Sequence, residues 1–201
     1  MKILGITGSS GAGKSTVCNI LEKKYQVKVI NADQIAKKLS KPGTSYLKEI
    51  SDKFGIDILD EQGELKRKKL AEIIYSDSQK RQELNQCTFK YIRQEIEKQI
   101  EKETEASTIM IDAPLLFECE LDKLCEHVIG VISKKELQIE RVVARDNIDY
   151  EHAERRINAQ ENNEFYIEKC DEIIENNNDI SYVETCIKKI MKKYNITEIL
   201  Q

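Results

Sequence analysis

Ile3-Leu4-Gly5-Ile6-Thr7-Gly8-Ser9-Ser10-Gly11-Ala12-Gly13-Lys14-Ser15-Thr16 runs from an apolar segment through a glycine-rich loop into a helix start. Gly8 to Ser15 satisfies G-x-x-x-x-G-K-[ST], and the order strand, loop, helix is the setting in which that motif cradles phosphate. Glycines let the backbone close around phosphate oxygens, and the helix that follows turns its positive dipole end toward them. Lys14 is placed to bridge β- and γ-phosphates, and the Ser15 hydroxyl to ligate magnesium. An ordinary glycine-rich turn would account for the glycines, but not for Lys14 followed by Ser15.

Beyond the loop, Val17, Ile20 and Leu21 recur at helical spacing. Further short apolar or β-branched runs follow at Val27 to Ile30, Thr108 to Ile111, Val128 to Ile132 and Glu172 to Ile174, separated by long helical patterns. Five strands alternating with helices predict an α/β chain with a five-stranded parallel sheet and helices on both faces. The spacing is uneven, so two helical insertions are expected in a single domain. The core covers 1–58, 105–133 and 164–201, an insertion occupies about 59–104, and a second about 134–163. Within the first, Asp60 to Gly63 reads as a turn, and Ser76 or Asp77 as the cap of a long helix running toward Glu103.

Composition narrows the function classes. The 201 residues carry 36 acids against 32 bases, a net charge of −4, which provides no summed positive field for a nucleic-acid backbone. The lysine-rich stretches 66–69 and 188–193 are broken by apolar residues at helical spacing and read as solvated helix faces. Six cysteines without a C-x-x-C pair and only two histidines show neither a disulfide framework nor zinc-ligand spacing. No run approaches the roughly 18 apolar residues of a membrane span. Free thiols and the absence of a targeting segment predict a cytoplasmic protein.

Phosphoryl transfer needs a group that orients or deprotonates the acceptor, and Asp33, just past the second strand, suits that task. Spacing alone leaves open whether Asp33 faces the loop or caps a helix starting near Gln34. Asp112 ends an apolar strand and suits an acid that holds magnesium directly or through water. Arg141 and Arg145 lie four apart on one helix face, where they either clamp phosphates or pair at the surface with Glu140 or Asp146. By pattern, surface pairing is the better reading.

With these residues placed, the chain resembles the dephospho-CoA kinase family over nearly its whole length. The resemblance is carried in order by Ile3 to Thr16, Val29 to Asp33 with Ile35-Ala36, Pro42-Gly43, Phe54-Gly55, Gly63 to Leu70, and Pro114-Leu115-Leu116-Phe117-Glu118. It continues through Gln138 with Arg141 and Arg145, Arg156 to Gln160, and Asp171 to Asn176. The family often has Asp where this chain has Asn31, and His-Pro where it has Phe89-Lys90. The resemblance implies a three-layer P-loop kinase fold and transfer of the γ-phosphate of ATP to the 3′-hydroxyl of dephospho-CoA, with magnesium. It makes Asp33 the base, with Lys14 and Arg141 catalytic beside it. Gly8, Gly11, Ala12, Gly13, Lys14, Ser15, Thr16, Arg145 and Asn176 would bind ATP. Asp33, Arg67, Leu115, Leu116 and Phe117 would hold the acceptor, Ser15 and Asp112 the metal, and residues 134–163 would form a lid. Such an enzyme would work as a monomer or weak homo-oligomer on ATP and dephospho-CoA, with no nucleic-acid or membrane partner. The alternatives are a nucleoside or nucleoside monophosphate kinase, which would not usually carry the Pro114 to Glu118 segment, and a non-catalytic nucleotide-binding module. A guanine-specific switch would normally carry N-K-x-D, which does not occur here.

Overall fold

The computed structural model describes residues 1–75 and 77–199. Strands β1 (Lys2–Thr7), β2 (Lys28–Asn31), β3 (Thr108–Asp112), β4 (His127–Ile132) and β5 (Glu172–Glu175) form one sheet in the order β2-β3-β1-β4-β5. β1 runs parallel to β3 and β4, and β4 parallel to β5. Every residue of β3 is buried, as expected of a strand covered on both faces. The helices are α1 (Lys14–Tyr25), α2 (Ala32–Leu39), α3 (Ser45–Phe54), α4 (Arg67–Tyr75), α5 (Ser78–Lys102), α6 (Lys135–Asp146), α7 (Tyr150–Asn158), α8 (Asn163–Lys169) and α9 (Ile180–Lys193).

Alternation along β1 and β4 divides the sheet into two packed faces. On one, Leu4, Ile6, Ile129 and Val131 meet Val17 and Leu21 of α1 and Val183, Ile187 and Met191 of α9. On the other, Gly5 leaves room for Leu116 and Cys125, and Gly130 for Ile173 and Cys170. Strand β2 starts one residue later than its apolar run, because Val27 is buried in the core and its N–H closes onto Leu21 O.

Two compact units emerge, one of residues 1–30 and 104–201, the other of residues 31–103. Tyr46, Leu47, Ile50, Ile58, Leu70, Leu84 and Cys87 form the second unit's own core, which therefore takes in α2 and α3 ahead of the insertion expected from residue 59. Its Asp60 turn closes with Gly63 N–H on Asp60 O at 3.0 Å and Glu64 N–H on the Asp60 carboxylate at 2.8 Å. Asp77 caps α5 by accepting from the amides of Gln79 and Lys80, while Ser76, the other candidate cap, lies outside the described residues. α5 runs unbroken through Phe89-Lys90, and Lys90 Nζ reaches Glu49 of α3 at 2.5 Å, holding that carboxyl down at about 2. A proline at position 90 would have broken this helix turn.

Among the described residues no helix is long and apolar enough to cross a membrane. All six cysteines are free, and burial pushes the thiols of Cys119, Cys125 and Cys170 up to about 12, so they stay protonated and unreactive.

Candidate active site

The loop between β1 and α1 takes its shape from backbone that only glycine adopts freely. Gly8 has φ 144° and Gly13 φ 102°. A β-carbon at Gly8 would stand 2.1 Å from Val131 O, and one at Gly13 2.0 Å from Asn176 Nδ2. Gly13→Ala therefore has to move both the loop and Asn176, and a loss of about 1–3 kcal/mol is expected from the positive φ alone. Urea unfolding should show that loss together with at least tenfold weaker ATP binding; unchanged ATP affinity would contradict the tight loop. Gly13 also occupies the N-cap of α1 with no side-chain cap, and the first turn carries no acidic residue. The amides at this helix end are thus left to an anion. Lys14 Nζ folds back over the loop to donate to Gly8 O at 2.6 Å.

Loop shape is enforced from a second direction by α6 and its neighbours. Ser9 Oγ donates to Gln138 Oε1 at 3.0 Å, and Gln138 Nε2 to Ser133 O at 2.8 Å, with all three residues buried. Ser10 N–H donates to Gln160 Oε1 at 2.7 Å. Arg141 spreads its guanidinium over Gly11 O at 3.1 Å, Ser133 Oγ at 3.2 Å and Asn176 O at 2.9 Å. Asn176 in turn donates to Ala12 O at 2.8 Å. Arg141 and Asn176, expected to touch phosphate and ATP, are in this structure the frame of the loop's backbone carbonyls. Arg145 makes a two-pronged pair with Asp146 at 2.8 and 2.9 Å, and Arg156 meets the same carboxylate at 2.6 Å, holding it at about 2. The surface-pairing reading thus describes Arg145 but not Arg141. Helices α6 and α7 keep a small core of their own in Ile139, Val142, Ala153 and Ile157. Gln138 and Gln160, not singled out as site residues beforehand, are two further side-chain partners of the loop. Gln138 lies three residues before Arg141 on the same face, which was the available signal.

Asp112 sits buried at the carboxyl end of β3, in register with Ile6 just before the loop. Its charge and that of Lys14 both reach Cys18, one turn into α1, whose thiol is pushed up to about 12 by burial first and Asp112 second, against Lys14. Leu115 is 49% exposed, but Leu116 is fully buried against Gly5, so Leu116 packs the sheet and is not free to line a pocket. Phe117 meets Phe165 edge to face at 5.6 Å.

In the second unit, Asp33 is exposed in the first turn of α2, and the cap there is Asn31, whose Oδ1 accepts from Gln34 N–H at 2.9 Å. The helix begins at Ala32 and not near Gln34, so Asp33 is not its cap. Asn at position 31 caps as the family's Asp would. Arg67 opens α4 and is exposed.

A parallel sheet whose first strand turns through Gly8 to Ser15 into a helix start defines a P-loop nucleotide-binding protein. A shikimate kinase from Acinetobacter baumannii shares the fold, with TM-score 0.55 at 14% identity, covering 97% of this chain and 94% of that one. The dephospho-CoA kinase family model matches residues 2–182, and the chain belongs to that family of ATP-dependent kinases. It is 38% identical to the dephospho-CoA kinase of Shewanella oneidensis, covering 96% of this chain and 93% of that protein. It is 41% identical to that of Fusobacterium nucleatum, covering 94% of each. The solved dephospho-CoA kinase of Campylobacter jejuni superposes with TM-score 0.68 at 29% identity, covering 96% of this chain and 98% of that one.

Proposed function

We propose that the chain transfers the γ-phosphate of ATP to the ribose 3′-hydroxyl of dephospho-CoA, giving CoA and ADP. The observation that carries this reading is the family match across the length of the chain, joined to a loop whose glycines, lysine and serine are intact. The 3′-oxygen attacks the γ-phosphorus in line, its proton passes to the Asp33 carboxylate, and the bond from the γ-phosphorus to the bridging oxygen breaks so that ADP leaves. Lys14 steadies the charge that builds on the transferring group. Arg141 keeps the loop carbonyls turned away from the phosphates, leaving the amides to face them. Residues 134–163 act as the lid, shielding the reaction from water so that ATP is not hydrolysed instead.

Magnesium fits the oxygen donors of Ser15 and Asp112, the second buried beside the loop's own strand. Two protein oxygens suit an ion that keeps waters and binds through few protein groups plus substrate phosphates. Bound there, it would neutralise phosphate charge. Six free thiols support placement in the cytoplasm, and we take the working form to be a monomer or weak homo-oligomer. An ADP-release assay offering dephospho-CoA, nucleosides and nucleoside monophosphates in parallel tests the reading. Turnover is expected with dephospho-CoA; turnover only with a nucleoside monophosphate would overturn it.

A further inference from the structure

Lys37 stands one helical turn beyond Asp33 on α2, so the two side chains leave the same face of the helix, about 6 Å apart along its axis. That face borders a cavity of about 180 Å³ lined by Ala36, Lys37, Leu39, Ser40, Tyr46, Arg67 and Thr88. Two cationic residues and three hydroxyl-bearing ones thus line one small hollow, and no acidic residue lines it. Tyr46 and Thr88 fix one wall through a 3.0 Å contact between their hydroxyl oxygens. Arg67 lies near enough to that wall to oppose the rise that burial imposes on the Tyr46 phenol. The concentration of positive charge beside a small cavity selects for a compact anion.

We propose that this cavity receives the diphosphate of the acceptor, with Lys37 and Arg67 as its charge partners. This deepens the function proposed above and rests on Asp33 taking the 3′-hydroxyl proton. In dephospho-CoA the diphosphate leaves the 5′-carbon of the ribose that carries the reacting 3′-oxygen. The two groups are separated by a span comparable with one turn of α2. Asp33 and Lys37 would therefore read the two ends of one ribose, and the cavity would explain why the acceptor is a nucleoside 5′-diphosphate ester and not a bare nucleoside. The hollow is too small for the pantetheine arm, which must leave it.

Steady-state kinetics on the full chain test this. The parent enzyme's turnover of dephospho-CoA is measured first, and its absence would count against the proposed function and not against the cavity. Given that turnover, Lys37→Ala and Arg67→Ala should each raise the KM for dephospho-CoA roughly ten- to a hundredfold, the worth of one charge-assisted contact. The KM for ATP should stay within twofold, which also shows that the variants fold. Lys37→Arg, which keeps the charge, should restore most of the acceptor affinity. Alanine variants whose KM for dephospho-CoA stays within twofold of the parent, or whose KM for ATP rises in step, would overturn the assignment.

Discussion

Asp33→Asn is expected to lower kcat by roughly 10²–10⁴-fold, the contribution of a positioned general base, while ATP binds as before. The substitution removes the proton acceptor and almost nothing else. Helix α2 is capped by Asn31, so its start survives, and the carboxylate adds its favourable place in the first turn, about 0.3–1 kcal/mol. Asn keeps the size and much of the polarity, so a fall in turnover reads as lost chemistry and not lost shape. Titration calorimetry with ATP alongside turnover with dephospho-CoA separates the two. Near-normal kcat in a folded Asp33→Asn enzyme would remove Asp33 from the role of base.

Lys14→Ala should fall by a similar amount but in a different pattern. Its ammonium lies over the phosphate loop at 2.6 Å from Gly8 O, and a preorganised charge aimed at a developing anion is worth roughly 10²–10³ in kcat. Because the same charge also meets the ground-state phosphates, ATP affinity should weaken as well, unlike in Asp33→Asn. Lys14→Arg should rescue little, since a planar fork cannot replace a compact ammonium in so close a loop. An alanine variant with parental ATP affinity and turnover would contradict the role given to Lys14.

The loop and the five strands were legible because each follows a short-range rule. Short continuous apolar runs, glycine at positive φ and a helix start at Lys14 are all written within a few residues. Asp77 as a cap and the Asp60 turn were legible for the same reason. What the sequence hid depends on contacts between distant segments. Arg141 is separated by more than a hundred residues from Gly11, whose carbonyl it holds, and no local pattern distinguishes an arginine that frames a loop from one that clamps a phosphate. Leu116 read as a pocket residue beside Leu115 and Phe117, yet the absence of a side chain at Gly5 draws it into the sheet. The extent of the second unit was equally hidden, because Tyr46, Leu47 and Ile50 look like any amphipathic helix until their partners on α5 are known.

The two arginines of α6 show how one spacing supports two outcomes. Four residues apart on α6, Arg141 turns inward to the loop and Arg145 outward to Asp146. The deciding feature is Asp146 immediately after Arg145, joined by Arg156 ten residues on, which together hold the outer arginine in a surface cluster.

Product stoichiometry tests the central claim most directly. Incubated with ATP, magnesium and dephospho-CoA, the enzyme should yield ADP and CoA in equal amounts, with the new phosphate on the ribose 3′-carbon by phosphorus NMR. ADP accompanied by inorganic phosphate, with dephospho-CoA recovered unchanged, would contradict it.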